Sequence, residues 1–240
     1  MAHEIDNGRR DFLISAAAIG TGIVLFPGSK ANAEDDGNAN NKKKEEDVSP
    51  NEDLMREHGL LKRILLIYGE GIRRLDAKED LPPESIMDSA KIIRSFVEDY
   101  HEKLEEDYLF PRLRKANKLV DLVDVLQQQH QAGRRITDIT MRLANLKSIK
   151  NPDECKTLIE SLKQFIRMYN PHEAREDTIL FPAFRAVVTK NEYDSLGDDF
   201  EKKETQSFGE QGFEKMLDKV ATIEKSLGIY DLAQFTPTLK

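Results

Sequence analysis

The sequence predicts an all-α chain, an antiparallel up-and-down four-helix bundle with one extra helix near its C-terminus. Three observations carry that prediction. The 240 residues include no tryptophan, few β-branched runs and much Leu, Glu, Lys and Arg, a mixture that favours helix over strand. Four long stretches place apolar side chains at alternating three- and four-residue steps, the spacing of one helix face. One block of the chain is also written twice: HEKLEEDYLFP from His101 to Pro111 returns as HEAREDTILFP from His172 to Pro182.

Residues 1–33 resemble a twin-arginine (Tat) export signal. Arg9 and Arg10 precede an apolar run from Phe12 to Phe26, and Ala31-Asn32-Ala33 offers the small-x-small pattern of signal peptidase. That run is shorter than the ~20 residues needed to span a bilayer. It therefore reads as a cleaved signal, with no stable membrane insertion afterwards and an exported, periplasmic or extracytoplasmic location. Residues 34–48 hold only Ala39 and Val48 as apolar side chains and read as a disordered linker. The bundle is expected over 49–192 and a C-terminal extension over 193–240.

The first helix opens on a capping box, Ser49-Pro50-Asn51-Glu52. It aligns Leu54, His58, Leu61, Leu65, Tyr68, Ile72 and Leu75 on one face. After the charged, proline-rich link from Lys78 to Pro83, the second helix aligns Ile86, Ala90, Ile93, Val97, His101, Leu104 and Glu105. The third, from about Lys118 to Leu146, turns Leu122, Leu126, His130, Gly133, Thr137 and Thr140 inward. Asn151-Pro152-Asp153-Glu154 repeats the capping logic. The fourth helix continues with Leu158, Leu162, Phe165, Tyr169, His172, Glu176, Ile179 and Ala183. Pro111 and Pro182, each six residues beyond a glutamate, are expected to kink the second and fourth helices alike. Pro171 has no counterpart in the first copy, where Tyr100 stands. Past Lys190 the pattern weakens until Phe213, Met216, Leu217, Val220, Ile223 and Leu227 form one more amphipathic helix. It is expected to cover the bundle, with partner docking or self-association as the alternative. The acids Asp198, Asp199, Glu201 and Glu204 read as solvated surface.

Composition excludes some functions. A formal charge of −8 and the lack of a basic stripe argue against nucleic acid. The single cysteine, Cys155, forms no intrachain disulfide and reads as a small filler.

The chemistry lies in the repeat. Each block follows one further histidine at nearly the same distance, His58 lying 43 residues before His101 and His130 lying 42 before His172. Within each block the glutamate four residues after the histidine, Glu105 or Glu176, shares its helix face. The remaining histidine of the chain, His3, falls in the signal. Four histidines and two glutamates on apolar stripes are too many polar groups to bury without something to bind, and bundle interiors are a common home of two-metal carboxylate sites. Imidazole with carboxylate and no thiolate points to iron first and manganese second. If both glutamates bridge, each metal gains two histidines and two carboxylate oxygens, which leaves room for a small exchangeable ligand.

An early His followed by HExxE and Leu-Phe-Pro, occurring twice between about Pro50 and Lys190, resembles the hemerythrin-like (HHE cation-binding) family. The resemblance implies a four-helix bundle around two non-haem iron ions joined by an oxygen bridge. His58 and His101 would bind one iron and His130 and His172 the other, with Glu105 and Glu176 bridging. It also implies a small ligand such as dioxygen, nitric oxide or peroxide, with oxidoreductase-type chemistry open. Reversible dioxygen carriers of the family have a further histidine where this chain has Arg134, so the site looks more like the four-histidine members associated with nitric-oxide reactivity and iron-sulphur-centre repair. A metal-storage or metal-responsive protein without turnover is the alternative. Glu102 and Glu173, beside the second and fourth histidines, are assigned to an outer shell or the surface.

Overall fold

The computed structural model describes residues 48–238, so the expected export signal and all but the last residue of the expected linker lie outside the described residues. Helix α1 (Pro50–Ala77) opens with Pro50 in its first turn and the Ser49 hydroxyl accepting the Glu52 N–H at 3.3 Å. Helix α2 runs without a break over 83–115 and α3 over Val120–Leu143, followed by the short α4 (Leu146–Lys150). Helix α5 spans 152–187, its first turn capped by the Asn151 side chain, which accepts the Asp153 and Glu154 N–H groups at 3.0 and 3.2 Å. Two more α-helices follow, α6 (Lys190–Phe208) and α7 (Gly212–Ser226), and then a short 3-10 helix (Leu232–Phe235). There is no strand among the described residues, and none of their helices is long and apolar enough to cross a membrane.

Each of the four long helices packs against two others, α1 against α2 and α5, and α3 against the same two. They enclose one core in which Leu54, Leu61, Tyr68, Ile86, Phe96, Leu126, Leu158 and Phe165 are at most 2% exposed. The polar residues expected on these stripes are buried with them: His58, His101, Glu105, His130, His172 and Glu176 all lie at 3% exposure or less.

Helices α2 and α5 are not uniformly α. Each contains a π turn that begins on the repeated glutamate, Glu105–Leu109 in one and Glu176–Leu180 in the other. There the Phe110 and Phe181 N–H groups reach back five residues to the carbonyls of Glu105 and Glu176. Pro111 and Pro182 lack an N–H, and their rings would crowd the carbonyl four residues earlier. A π turn stands directly before each Phe-Pro pair, at each of the two places where a kink was expected. The wider turn also resets the inward register, so that Leu180, Phe181 and Phe184 are buried while Ile179 is 42% exposed and Ala183 only half-buried. The two halves differ before the ligand block, where α2 carries a longer π segment (Ile93–His101) and α5 keeps α geometry through Pro171.

Two expectations for the C-terminal extension are corrected. It holds two α-helices where the sequence suggested one, because α6 buries only a sparse stripe, Tyr193, Leu196, Phe200 and Glu204, among many polar residues. Glu204 is not solvated surface: at 3% exposure it accepts the Phe213 N–H at 2.9 Å and so caps the first turn of α7. Helix α7 lays Phe213, Met216, Val220 and Ile223 against the bundle, in contact with α1 and α2.

Gly133 of α3 leaves room for the Tyr169 side chain of α5. A Cβ there would lie 2.2 Å from the Tyr169 hydroxyl oxygen and 3.0 Å from its ring carbon Cζ. Gly133→Ala is therefore expected to lower the unfolding free energy by about 1–3 kcal/mol through overpacking, and the penalty should shrink in a Tyr169→Phe background. Denaturant unfolding of the two single variants and the double variant measures the difference.

Candidate metal centre

All six predicted residues converge at one level of the bundle. The Nε2 atoms of His58 and His101 are 3.0 Å apart, and those of His130 and His172 are 3.3 Å apart. Glu105 and Glu176 stand between the two pairs. Glu176 approaches His172 Nε2 at 3.1 Å, His58 Nε2 at 3.4 Å and His130 Nε2 at 3.9 Å. Glu105 approaches His130 Nε2 at 3.4 Å and His101 Nε2 at 4.0 Å.

The outer ring nitrogens explain why the inner ones face each other. His58 Nδ1 lies 2.7 Å from Asp177, His101 Nδ1 2.7 Å from Glu57, His130 Nδ1 3.1 Å from Glu106 and His172 Nδ1 2.8 Å from Gln129. A carboxylate or amide oxygen only accepts, so each Nδ1 carries a proton and each Nε2 faces inward, where it offers a lone pair once the ring is neutral. This outer hydrogen bond is the usual means by which a metal-binding imidazole is oriented. The pattern crosses between the repeats: Asp177 of the second copy holds His58 of the first, and Glu106 of the first holds His130 of the second. The phenylalanine of Leu-Phe-Pro does likewise, Phe181 stacking on His58 and Phe110 on His130, with 19° between the planes in both cases.

A further pair of polar contacts crosses in the same way. Buried Glu102 meets Arg134 at 2.7 Å and buried Glu173 meets Lys62 at 3.1 Å. Arg134 and Lys62 each lie four residues after the first histidine of their half. Glu102 and Glu173 are thus outer-shell groups, not surface ones. The Tyr169 hydroxyl donates to Glu102 at 2.6 Å, and its ring packs edge-on against His172 at 5.3 Å between centroids.

This arrangement fits a pair of cations. Neither oxygen of Glu105 has a hydrogen-bonded partner among the described residues, and Glu176 meets only the ring nitrogens of the histidines. Two imidazole lone pairs at 3.0 Å repel unless a proton or a cation lies between them. Within the larger cluster, His58, His101 and Glu105 form one group able to hold a cation, and His130, His172 and Glu176 form another.

Over residues 49–155 the chain matches the hemerythrin HHE cation-binding domain. It is also 47% identical over 235 residues to uncharacterized proteins of Mycobacterium bovis and Mycobacterium tuberculosis, an alignment covering 96% of this chain and 91% of each relative. The chain belongs to one family with these mycobacterial proteins and carries a hemerythrin HHE cation-binding domain. No solved structure matches it. The domain match contains His58, His101, Glu105 and His130 but ends before His172 and Glu176. What joins those two to the HHE site is the geometry of α5.

Sequence reasoning missed the outer acceptors of this HHE site, Glu57, Glu106, Gln129 and Asp177. Each is the immediate neighbour of a candidate ligand, and that adjacency was the available signal. A neighbour on a helix points about 100° away, so which partner it meets depends on how the helices pack.

Electrostatics show what the polar cluster does without a cation. Burial opposes charge on His58, but the Asp177 hydrogen bond and Glu176 outweigh it and raise its pKa to about 10. Burial, with His58 beside it, pushes His101 well below the ordinary histidine value. Burial and then Glu176 push Glu105 well above the carboxylate range, whereas His172 and His58 overcome the effect of burial on Glu176 and hold it well below. At neutral pH a proton thus sits where a cation would bind. Loading must expel it, so proton release is expected on adding a divalent cation at pH 7, and apparent affinity should rise by about tenfold per pH unit for each proton displaced. Indicator titration in weak buffer checks this. Loading without proton release, or weaker binding as pH rises towards 10, contradicts it.

Proposed function

We propose that the chain is an exported, hemerythrin-like non-haem di-iron protein that binds or reacts with a small diatomic ligand or peroxide, its four long helices in up-and-down antiparallel order. The observation that supports this most is the convergence of two histidine pairs on two fully buried carboxylates that meet no Lys or Arg among the described residues. On this reading His58 and His101 hold one iron, His130 and His172 hold the other, and Glu105 and Glu176 bridge. Manganese is the second choice of metal. Export is the part of the proposal that rests on residues 1–33 alone.

A bound pair of irons would supply one-electron redox chemistry and a free coordination position for a small ligand. The chain's own residues orient and seal the site. Glu57, Glu106, Asp177 and Gln129 fix the four imidazole planes, while Phe110 and Phe181 cover two of them and exclude water. Glu102 holds a proton near neutrality: burial raises its pKa to about 8 against the pull of Arg134 and Tyr169. Arg134 stands where reversible dioxygen carriers have a further histidine, and here its guanidinium bonds to Glu106 at 2.8 Å as well as to Glu102. That position offers a cation and not a ligand, which favours reaction with nitric oxide or peroxide over dioxygen storage.

The test is to mix the ferrous chain anaerobically with nitric oxide, peroxide or dioxygen and follow its optical spectrum. A rapid change, stoichiometric with the chain and lost in Glu105→Ala and Glu176→Ala variants that remain folded, is expected. A spectrum indifferent to all three ligands would leave metal storage or sensing as the function.

A further inference from the structure

The two halves of the site share the same inner ligand types but differ at outer positions, most sharply where Glu57 of one half corresponds to Gln129 of the other. Glu57 and Gln129 both precede the first histidine of their half, and both accept the Nδ1–H of the second, at 2.7 Å to His101 and 2.8 Å to His172. One is a carboxylate and the other a neutral amide. A carboxylate draws the Nδ1 proton towards itself and leaves more electron density on Nε2, which makes that nitrogen the stronger ligand. An amide oxygen at the same distance does this far less.

The crossing pair of acceptors is unequal in the same direction. Asp177 lies 2.7 Å from His58 Nδ1 and has no Lys or Arg partner among the described residues. Glu106 lies 3.1 Å from His130 Nδ1, and its charge is already shared with Arg134 at 2.8 Å and with Lys103. Both histidines of the first pair therefore lean on carboxylates, one of which, Asp177, is not shared with a Lys or Arg among the described residues. Those of the second pair lean on one compensated carboxylate and one amide.

Resting on the two-metal reading above, we propose that the two cation positions are unequal. The His58/His101 position holds a divalent cation more tightly than the His130/His172 position, and Glu57 against Gln129 is the main cause. These two are positioning residues, since neither faces the metals. The difference also sets an order of filling, in which a limiting supply of metal gives chains with one cation, held at His58 and His101.

The experiment titrates the full-length, metal-free chain anaerobically with cobalt(II) against a competing chelator, with circular dichroism to confirm that each variant is folded. The wild-type chain is expected to bind two cations in resolved steps at least about tenfold apart, the scale on which outer-shell partners change metal affinity. Gln129→Glu should strengthen the weaker step and close the gap. Glu57→Gln should close it from the other side by weakening the stronger step, and His172→Ala should abolish the weaker step alone. A merely structural role for position 129 does not predict a gain in affinity. Two equal steps in the wild-type chain, or a gap untouched by Gln129→Glu, would overturn the inequality and leave the metal centre standing. Failure of the wild-type chain to bind any cation would overturn both. If Glu57→Gln does not fold, Gln129→Glu decides.

Discussion

Everything in this fold is subordinate to a polar cluster in a place where polar groups are costly. Four imidazoles and two carboxylates meet inside a helical core, at 3% exposure or less, and burying such groups without partners costs several kcal/mol each. The protein meets part of that cost with outer hydrogen bonds to every Nδ1 and leaves the inner face open. Protons occupy the space only awkwardly, with one histidine held charged beside another held neutral and one carboxyl held protonated beside another held ionised. Two cations would satisfy all six groups at once.

The duplication is how one chain builds the cluster. Neither half is self-sufficient, because the acid after each repeated glutamate and the phenylalanine of each Leu-Phe-Pro serve the first histidine of the other half. In both copies the motif closes with a π turn that starts on the glutamate and a phenylalanine, Phe110 or Phe181, stacked on the facing ring. A short block that sequence inspection marks as merely repeated is thus a compact instruction for ligand, ligand support and cover. Where the halves depart from each other, at Glu57 and Gln129 and at Lys62 and Arg134, the departures lie in the outer shell and tune two positions that share the same inner ligands.

Much of this was readable beforehand. Apolar spacing located the four long helices, the Ser49 and Asn151 caps marked two of their starts, and the paired histidines named the candidate ligands without a coordinate. The failures have specific causes. Ile179 and Ala183 were placed inward by extrapolating α periodicity past Glu176, and the π turn moved that role to Leu180 and Phe184. Helix α6 escaped notice because it is held by only a few apolar residues and a Thr189 cap. Glu204 looked like one of four surface acids because its partner, the Phe213 N–H, exists only once α7 turns back. Glu57, Glu106, Gln129 and Asp177 were hidden for a similar reason, since their partners lie on other helices. Periodicity reports which face a residue occupies but not which neighbour faces it.

The central claim is that the cluster holds two metals close enough to share both carboxylates. Loading the metal-free chain with manganese(II) and recording electron paramagnetic resonance tests it most directly, because two ions bridged by Glu105 and Glu176 couple magnetically and an isolated ion does not. Two manganese ions per chain with the spectrum of a coupled pair, reverting to isolated-ion signals in Glu105→Ala, is the predicted result. A single uncoupled ion per chain, or a coupled pair that survives the loss of both glutamates, would contradict the account.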